Sequence, residues 1–147
     1  LPILASSLEH VLRVAELPDL SLRLAEEFWP GPLTLVVPRR PVLPDLVVCG
    51  LPSVGVRIPD HDFALELIEA CGGLLVGTSA NRSGNPPPRT AQEALEELGP
   101  LVELVIDGGP APLGKPSTVL DLTGPEPRVL REGALGREEL LPFLTEA

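Results

Sequence analysis

The chain has 147 residues, enough for one domain and too few for two comfortable ones. Its formal net charge of -10 makes it a poor candidate for tight, unspecific nucleic-acid binding, because neutralising phosphates requires clustered Lys and Arg. Hydrophobic residues make up 44% of the chain and aromatic residues only 3%, so we expect a core of aliphatic side chains. No apolar run reaches the ~18 residues that a membrane span needs, and the expected compartment is the cytoplasm.

Strands and helices are predicted to alternate along the chain. Apolar and β-branched runs predict strands at residues 1–5, 33–37, 53–58, 74–78, 102–106, 119–122 and 128–130. Capping residues and helical periodicity predict helices between these strands, over about 6–16, 19–29, 60–70, 90–98 and 137–144. Two of these helices are expected to begin with capping boxes, formed by Ser6 with Glu9 and by Thr90 with Glu93. The proline-containing segments 38–52 and 79–89 are predicted as loops, and the whole pattern indicates one α/β domain with a mixed sheet.

The first candidate site residue is Arg57, which lies within an apolar predicted strand. An unpaired buried guanidinium is costly, and its planar fork suits a carboxylate or a phosphate. A structural ion pair with one of the 21 acidic residues explains the same pattern equally well.

A second candidate is the polar loop that follows the strand at 74–78. Ser79 and Asn81 offer short hydrogen bonds, and exposed backbone N–H groups in such a loop can hold an anion. An ordinary turn of Ser, Asn and Gly is the better explanation on the pattern alone.

Two further candidates lie near the end of the chain. Ser117 and Thr118 open a predicted strand, where their hydroxyls can hold a phosphate or Mg²⁺, or can cap a turn. Arg131 follows two apolar positions and can reach the same cleft, or it can be a solvated charge on an edge strand.

Other kinds of site are not indicated. His10 and His61 are the only histidines and have no metal-ligand spacing, and no nucleophile elbow or Walker loop occurs. Cys49 and Cys71 form no CxxC pair, and we interpret both as small buried hydrophobic residues.

Five segments occur in the order and spacing of one known family. They are WPGPLTLVV (29–37), VGVRIPDH (54–61), TSANRSGNPPP (78–88), DGGPAPLGKPSTVLDLTG (107–124) and VLREGAL (129–135). Together they resemble the YrdC family of threonylcarbamoyl-AMP synthases. The resemblance covers almost the whole chain and implies one YrdC-like α/β domain over residues 1–147, a twisted mixed sheet flanked by helices around a concave pocket.

The resemblance also implies an activity. Family members combine L-threonine, bicarbonate and ATP, with Mg²⁺, into threonylcarbamoyl-adenylate and pyrophosphate. A separate transferase complex then passes the threonylcarbamoyl group to tRNA, so that N6-threonylcarbamoyladenosine forms. On this basis the intact protein is expected to be a nucleotidyltransferase, with tRNA a partner through that complex.

Roles for individual residues follow from the same resemblance. Ser79, Asn81, Ser117 and Arg131 match family positions on the nucleotide side of the pocket. Arg57 and Thr118 match positions near threonine. No residue is assigned as a catalytic acid, base or nucleophile, and no protein metal ligand is expected.

The resemblance has one large departure. The family's N-terminal Pro-Thr-x-Thr-x-Tyr-Gly block and its Lys-x-Arg segment have no counterpart here, and LPILASSLEHV resembles the family sequence just after them. We therefore expect an N-terminally incomplete domain that is nearly inactive alone. Two alternatives remain: a non-catalytic module of this fold that binds tRNA or double-stranded RNA, and a carbamoyl-transfer domain of a hydrogenase-maturation protein.

Overall fold

Six strands form one mixed β-sheet in the computed structural model, which describes residues 1–145. The strands are β1 (Ile3–Ala5), β2 (Leu33–Pro38), β3 (Ser53–Arg57), β4 (Leu74–Val76), β5 (Thr118–Asp121) and β6 (Arg128–Arg131). Their order across the sheet is β4-β1-β3-β2-β5-β6. The pairs β1–β3 and β2–β5 are parallel, and the other three pairs are antiparallel.

Six helices accompany the strands, five of them before β5 and one after β6. They are α1 (Leu8–Val14), α2 (Asp19–Phe28), α3 (Asp45–Val48), α4 (Asp62–Ala70), α5 (Ala91–Leu98) and α6 (Arg137–Leu144), with a 3₁₀ turn at Gly99–Leu101. Within residues 1–145 none of these helices has the length and apolar character to cross a membrane.

The chain forms two compact units. One unit combines Leu1–Gly77 with the chain from Ser117 onward and contains all six strands, and the other comprises Thr78–Pro116, with α5 and the 3₁₀ turn. We call them the sheet unit and the inserted unit.

One face of the sheet carries the core. Because side chains alternate along a strand, residues paired in register across neighbouring strands share a face. Ile3, Val56, Leu35 and Leu120 are linked by successive register pairs across β1, β3, β2 and β5, and all are buried. Helical residues complete this core, among them Val11, Leu24 and Leu140.

The predicted fold class is confirmed, since the structure has a mixed six-stranded sheet with flanking helices. The predicted strand at 102–106 is wrong, because no strand forms there and Leu104 and Ile106 are exposed. The predicted loop at 38–52 contains the short helix α3, which was not predicted because the four prolines of that segment indicate a loop.

Two local predictions also need correction. Ser7, and not Ser6, caps α1 by accepting a hydrogen bond from His10 N, while the Ser6 hydroxyl donates to Glu69. Cys49 and Cys71 are exposed free thiols, because each lies at the C-terminal end of a short helix, where the chain turns at the surface.

Candidate functional site

Two arginines of the sheet unit are anchored to neighbouring backbone segments. Arg57, at the end of β3, donates from Nε to Gly31 O at 2.9 Å. Arg131, at the end of β6, donates to Ser117 O from Nε at 3.0 Å and from Nη2 at 2.8 Å. The two segments are themselves joined, because Thr118 N donates to Pro32 O at 2.9 Å. Both guanidiniums therefore lie where the parallel strands β2 and β5 begin.

Neither guanidinium is neutralised by a carboxylate. Within residues 1–145, Arg57 and Arg131 form no ion pair. Burial lowers the pKa of Arg57 below its ordinary value, and the positive charge of Arg131 lowers this pKa further. A partly buried cation beside a like charge is stabilised by an anion, so this part of the sheet unit is suited to a carboxylate or a phosphate.

Two buried hydroxyls lie beside Arg131. Ser117 Oγ accepts a hydrogen bond from Arg131 Nη2 at 3.1 Å and lies 2.8 Å from Thr34 Oγ1. Ser117 and Thr34 are each 6% exposed. Arg131, Ser117 and Thr34 thus form one connected polar group within an otherwise aliphatic sheet.

The hydroxyl of Thr118 has a different environment. It donates to Leu135 O at 2.6 Å and accepts from Gly133 N at 3.1 Å, and the residue is almost fully buried. These contacts hold the segment that follows Arg131 against the start of β5. The predicted contact between Thr118 and threonine stays a prediction.

The register of the sheet explains why these side chains meet. Thr34 pairs with Val119 on the face opposite the core, and continuing the Leu35–Val56 pairing by one residue brings Arg57 opposite Thr34 on this same face. The register between β5 and β6 shifts at Val119 and Leu120, so that Val129 pairs with the core residue Leu120 while Arg131 pairs with Val119. Alternation along the strands therefore places Thr34 and Arg57, and the register shift brings Arg131 to them.

The inserted unit carries the two other predicted site residues. Ser79 is exposed. Asn81 Nδ2 donates to Arg82 O at 2.9 Å and to Asn85 O at 3.0 Å, so both of its amide protons are used within its own loop. Asn81 Oδ1 is buried and has no hydrogen-bond partner within residues 1–145. This atom can only accept a hydrogen bond, so it suits an N–H or O–H donor and not a phosphate oxygen.

Glu97 of α5 holds the loop that contains Asn81. Its carboxylate accepts from Arg82 N at 2.9 Å and from Asn85 Nδ2 at 3.0 and 3.1 Å. These hydrogen bonds, first the one from the Arg82 backbone, lower the pKa of Glu97 below its ordinary value. The loop geometry is thus fixed by a charged helical residue.

The structure brings together Arg57, Ser117, Thr118 and Arg131 in the sheet unit, and Ser79 and Asn81 in one loop of the inserted unit. Their predicted roles stay predictions. Sequence reasoning did not single out Thr34, because it lies within the apolar run 33–37. It also did not single out Gly31, where a Cβ would lie 2.2 Å from Phe28 O, so only glycine fits beside the carbonyl that accepts from Arg57.

Comparison with known proteins gives a consistent result. A family model for Sua5, YciO and YrdC proteins, described as "Telomere recombination", matches residues 1–133. A threonylcarbamoyl-AMP synthase of Pyrococcus abyssi is 45% identical over 131 residues, which are 89% of this chain and 38% of that protein. A threonylcarbamoyl-AMP synthase of Bacillus subtilis is 37% identical over 139 residues, which cover 89% of this chain and 40% of that protein.

A solved structure is similar along nearly the whole chain. The crystal structure of P. abyssi Sua5 complexed with L-threonine matches with a TM-score of 0.94 and 42% identity, and the match covers 98% of this chain and 43% of that one. The chain therefore spans about two fifths of the length of the relatives described here.

Proposed function

The chain belongs to the Sua5/YciO/YrdC family, and we propose on that premise that the full-length protein is a threonylcarbamoyl-AMP synthase. The proposal rests on two guanidiniums, those of Arg57 and Arg131, which have no carboxylate partner within residues 1–145. Arg131 also donates a hydrogen bond to the hydroxyl of Ser117. Such a group fits substrates that bring their own negative charge. L-Threonine carries a carboxylate, and ATP carries phosphates.

The reaction has two bond-forming steps. The amine of threonine attacks the carbon of bicarbonate, and a carbamate forms with release of water. A carbamate oxygen then attacks the α-phosphorus of ATP, the bond to the β-phosphate breaks, and pyrophosphate leaves. Both steps develop charge on oxygen atoms, so catalysis rests on positioning and electrostatic stabilisation, without a covalent intermediate on the protein.

Each site residue of the sheet unit has a role in this scheme. Arg57 binds the carboxylate of threonine with the guanidinium nitrogens that its bond to Gly31 O leaves free. Arg131 and Ser117 bind phosphate oxygens, and Thr118 fixes the backbone beside them. In the inserted unit, the nucleotide-binding roles of Ser79 and Asn81 stay predictions, and the unpaired Asn81 Oδ1 suits an N–H or O–H donor.

Magnesium fits as a companion of the nucleotide. Within residues 1–145 no group of three His, Cys, Asp or Glu side chains could hold a metal ion. Mg²⁺ commonly binds through substrate phosphates and water, and when so bound it neutralises phosphate charge. The protein residues then need only orient the nucleotide.

The product would serve tRNA modification in the cytoplasm, with a separate transferase complex carrying the threonylcarbamoyl group to tRNA. Direct binding of tRNA is not needed for this role, and the net charge of -10 fits an indirect partnership.

Pyrophosphate release by the full-length protein tests the proposal. We expect release only when L-threonine, bicarbonate, ATP and Mg²⁺ are all present. An unchanged rate without threonine would overturn the assignment. Salt-sensitive RNA binding without any ATP-dependent pyrophosphate release would favour an RNA-binding module instead.

Variants of the two arginines refine this test. We expect Arg57→Ala to raise the KM for threonine and Arg131→Ala to raise the KM for ATP, each by about tenfold or more, since each removes a charge-assisted hydrogen bond. Arg128→Ala is the matched control, because Arg128 is an exposed arginine on the same strand as Arg131. Equal effects of Arg128→Ala and Arg131→Ala would remove Arg131 from the site.

A further inference from the structure

Thr34 occupies an unusual position for a hydroxyl. It is the second residue of β2, and its neighbours Leu33 and Leu35 are fully buried in the core. Its own side chain points to the opposite face, and its Oγ1 lies 2.8 Å from Ser117 Oγ. Thr34 belongs to none of the predicted site positions, but it contacts one of them directly.

A proton count limits the roles of the two hydroxyls. Arg131 can only donate, so Ser117 Oγ already accepts one hydrogen bond from Nη2. Either hydroxyl can donate to the other, and each arrangement leaves one hydroxyl proton without an acceptor among residues 1–145. When Thr34 donates, the Ser117 oxygen accepts from Thr34 and Arg131, and the unpaired proton is the one on Ser117, which a ligand oxygen can accept.

We propose that Thr34 is a positioning residue, whose hydroxyl directs the Ser117 hydroxyl proton towards a phosphate oxygen of the bound nucleotide. The inference rests on the proposed function for the identity of the ligand. In the arrangement in which Thr34 donates, two donors hold the Ser117 oxygen, and its own proton points away from both of them. A donor that is already oriented needs no reorganisation on binding.

Substitutions at residue 34 separate this role from a structural one. Thr34→Val removes the hydroxyl and keeps the shape and the β-branching. Thr34→Ser keeps the hydroxyl and removes a buried methyl group. Positioning therefore predicts that Thr34→Val is the more harmful change for binding, while packing predicts that Thr34→Ser is the more harmful change for stability.

The experiment is calorimetric titration of the full-length protein with ATP and Mg²⁺, with melting temperatures measured in parallel. We expect Thr34→Val to weaken ATP binding by about tenfold, the size of one lost hydrogen bond to a charged group, and Thr34→Ser to stay within about twofold of the unmodified protein. We expect the melting temperature of Thr34→Ser to fall below that of Thr34→Val. If affinity follows melting temperature across the two variants, Thr34 acts only through packing and the proposal is overturned.

A double-mutant cycle with Ser117→Ala gives the second criterion. If Thr34 acts through Ser117, then Thr34→Val has no further effect on ATP affinity once Ser117 is alanine. An additional tenfold loss in that background would contradict the inference. Threonine binding is a further readout, and it should stay within about twofold in Thr34→Val, because a general disturbance of β2 would change both affinities.

The outcomes also separate this inference from the proposed function. If the unmodified protein binds ATP but releases no pyrophosphate with threonine and bicarbonate, the proposed function fails, and the binding data on Thr34 still decide the inference. If the unmodified protein does not bind ATP, both proposals fail.

Discussion

The sheet unit and the inserted unit both contain apolar runs, but only the sheet unit buries them in a core. In the sheet unit, Leu33, Leu35 and Leu120 are fully buried. In the inserted unit no residue is buried, and Leu101, Leu104 and Leu113 are each more than half exposed. The sheet unit is therefore held by its core, whereas polar contacts such as those of Glu97 hold the inserted unit.

This difference teaches that an apolar run becomes a strand only where a partner strand is available. The run at 102–106 has the composition of a strand, but the backbone there forms no ladder and its side chains reach solvent. The similar run at 33–37 forms β2 because β3 and β5 lie on either side of it.

A matched pair of leucine substitutions gives the largest expected effect. Leu35→Ala empties a fully buried position and should lower the free energy of unfolding by about 2–5 kcal/mol. Leu104→Ala changes a side chain that is 74% exposed and should alter it by no more than about 0.5 kcal/mol. Denaturant unfolding measures both, and equal losses would show that the inserted unit buries Leu104 after all.

A matched pair of glycines gives the next largest effect. Gly73 has a φ of +92°, and a Cβ there would lie 2.4 Å from the His10 ring, so Gly73→Ala should cost roughly 2–4 kcal/mol from backbone strain and crowding. Gly109 has a φ of +88° with nothing near its Cβ position, so Gly109→Ala should cost only about 1–2 kcal/mol. Thermal unfolding of the two variants tests this, and a smaller loss for Gly73→Ala would mean that the His10 ring moves away freely.

The smallest effect is expected at Glu97 and depends on pH. Because its pKa is lowered in the folded chain, its hydrogen bonds stabilise the loop above the unfolded-state pKa, near 4.5, and this support is lost as pH falls through the lower folded-state value. The amide shift of Arg82, followed by NMR, should therefore titrate below pH 4.5. Glu97→Gln should abolish this titration and Glu96→Gln should not, since Glu96 interacts with Gln92 instead. An unchanged Arg82 titration in Glu97→Gln would show that another group fixes the loop.

Much of the fold could be predicted from sequence, for identifiable reasons. Six of the seven predicted strands form, because runs such as 33–37 and 53–58 combine β-branched residues with sharp boundaries of Pro and Gly. The helix at 45–48 escaped notice, because prolines at 41 and 44 indicate a loop while Pro44 in fact precedes the first turn. The cap of α1 was misplaced by one residue, because Ser6 and Ser7 are equally good capping residues and only the Ser6–Glu69 contact decides between them.

A site residue could be predicted from sequence where a charged side chain interrupts an apolar strand pattern. A site residue that is itself common in such patterns could not. Arg57 stands out within β3, and its lack of a carboxylate partner within residues 1–145 could be learned only from the folded chain. Thr34 is indistinguishable from Val in a strand pattern, so its contact with Ser117, 83 residues later, required the register of β2 and β5. Both amide protons of Asn81 donate to carbonyls of its own loop, and this too could be learned only from the folded chain.

The strand order makes the inserted unit a detour with widely spaced ends. The chain leaves the sheet after β4, at one border, and re-enters at β5, four neighbours away. With strands about 4.8 Å apart, the lateral separation alone is roughly 19 Å. Because β4 and β5 run parallel, the chain also leaves at one end of the strands and returns at the other, which lengthens the gap. A tight turn cannot replace residues 78–116, and more than about six extended residues are needed to bridge that gap. A flexible linker somewhat longer than this gap, put in place of residues 78–116, would still allow the six strands to pair. One deletion variant can therefore show whether the sheet unit folds without the inserted unit.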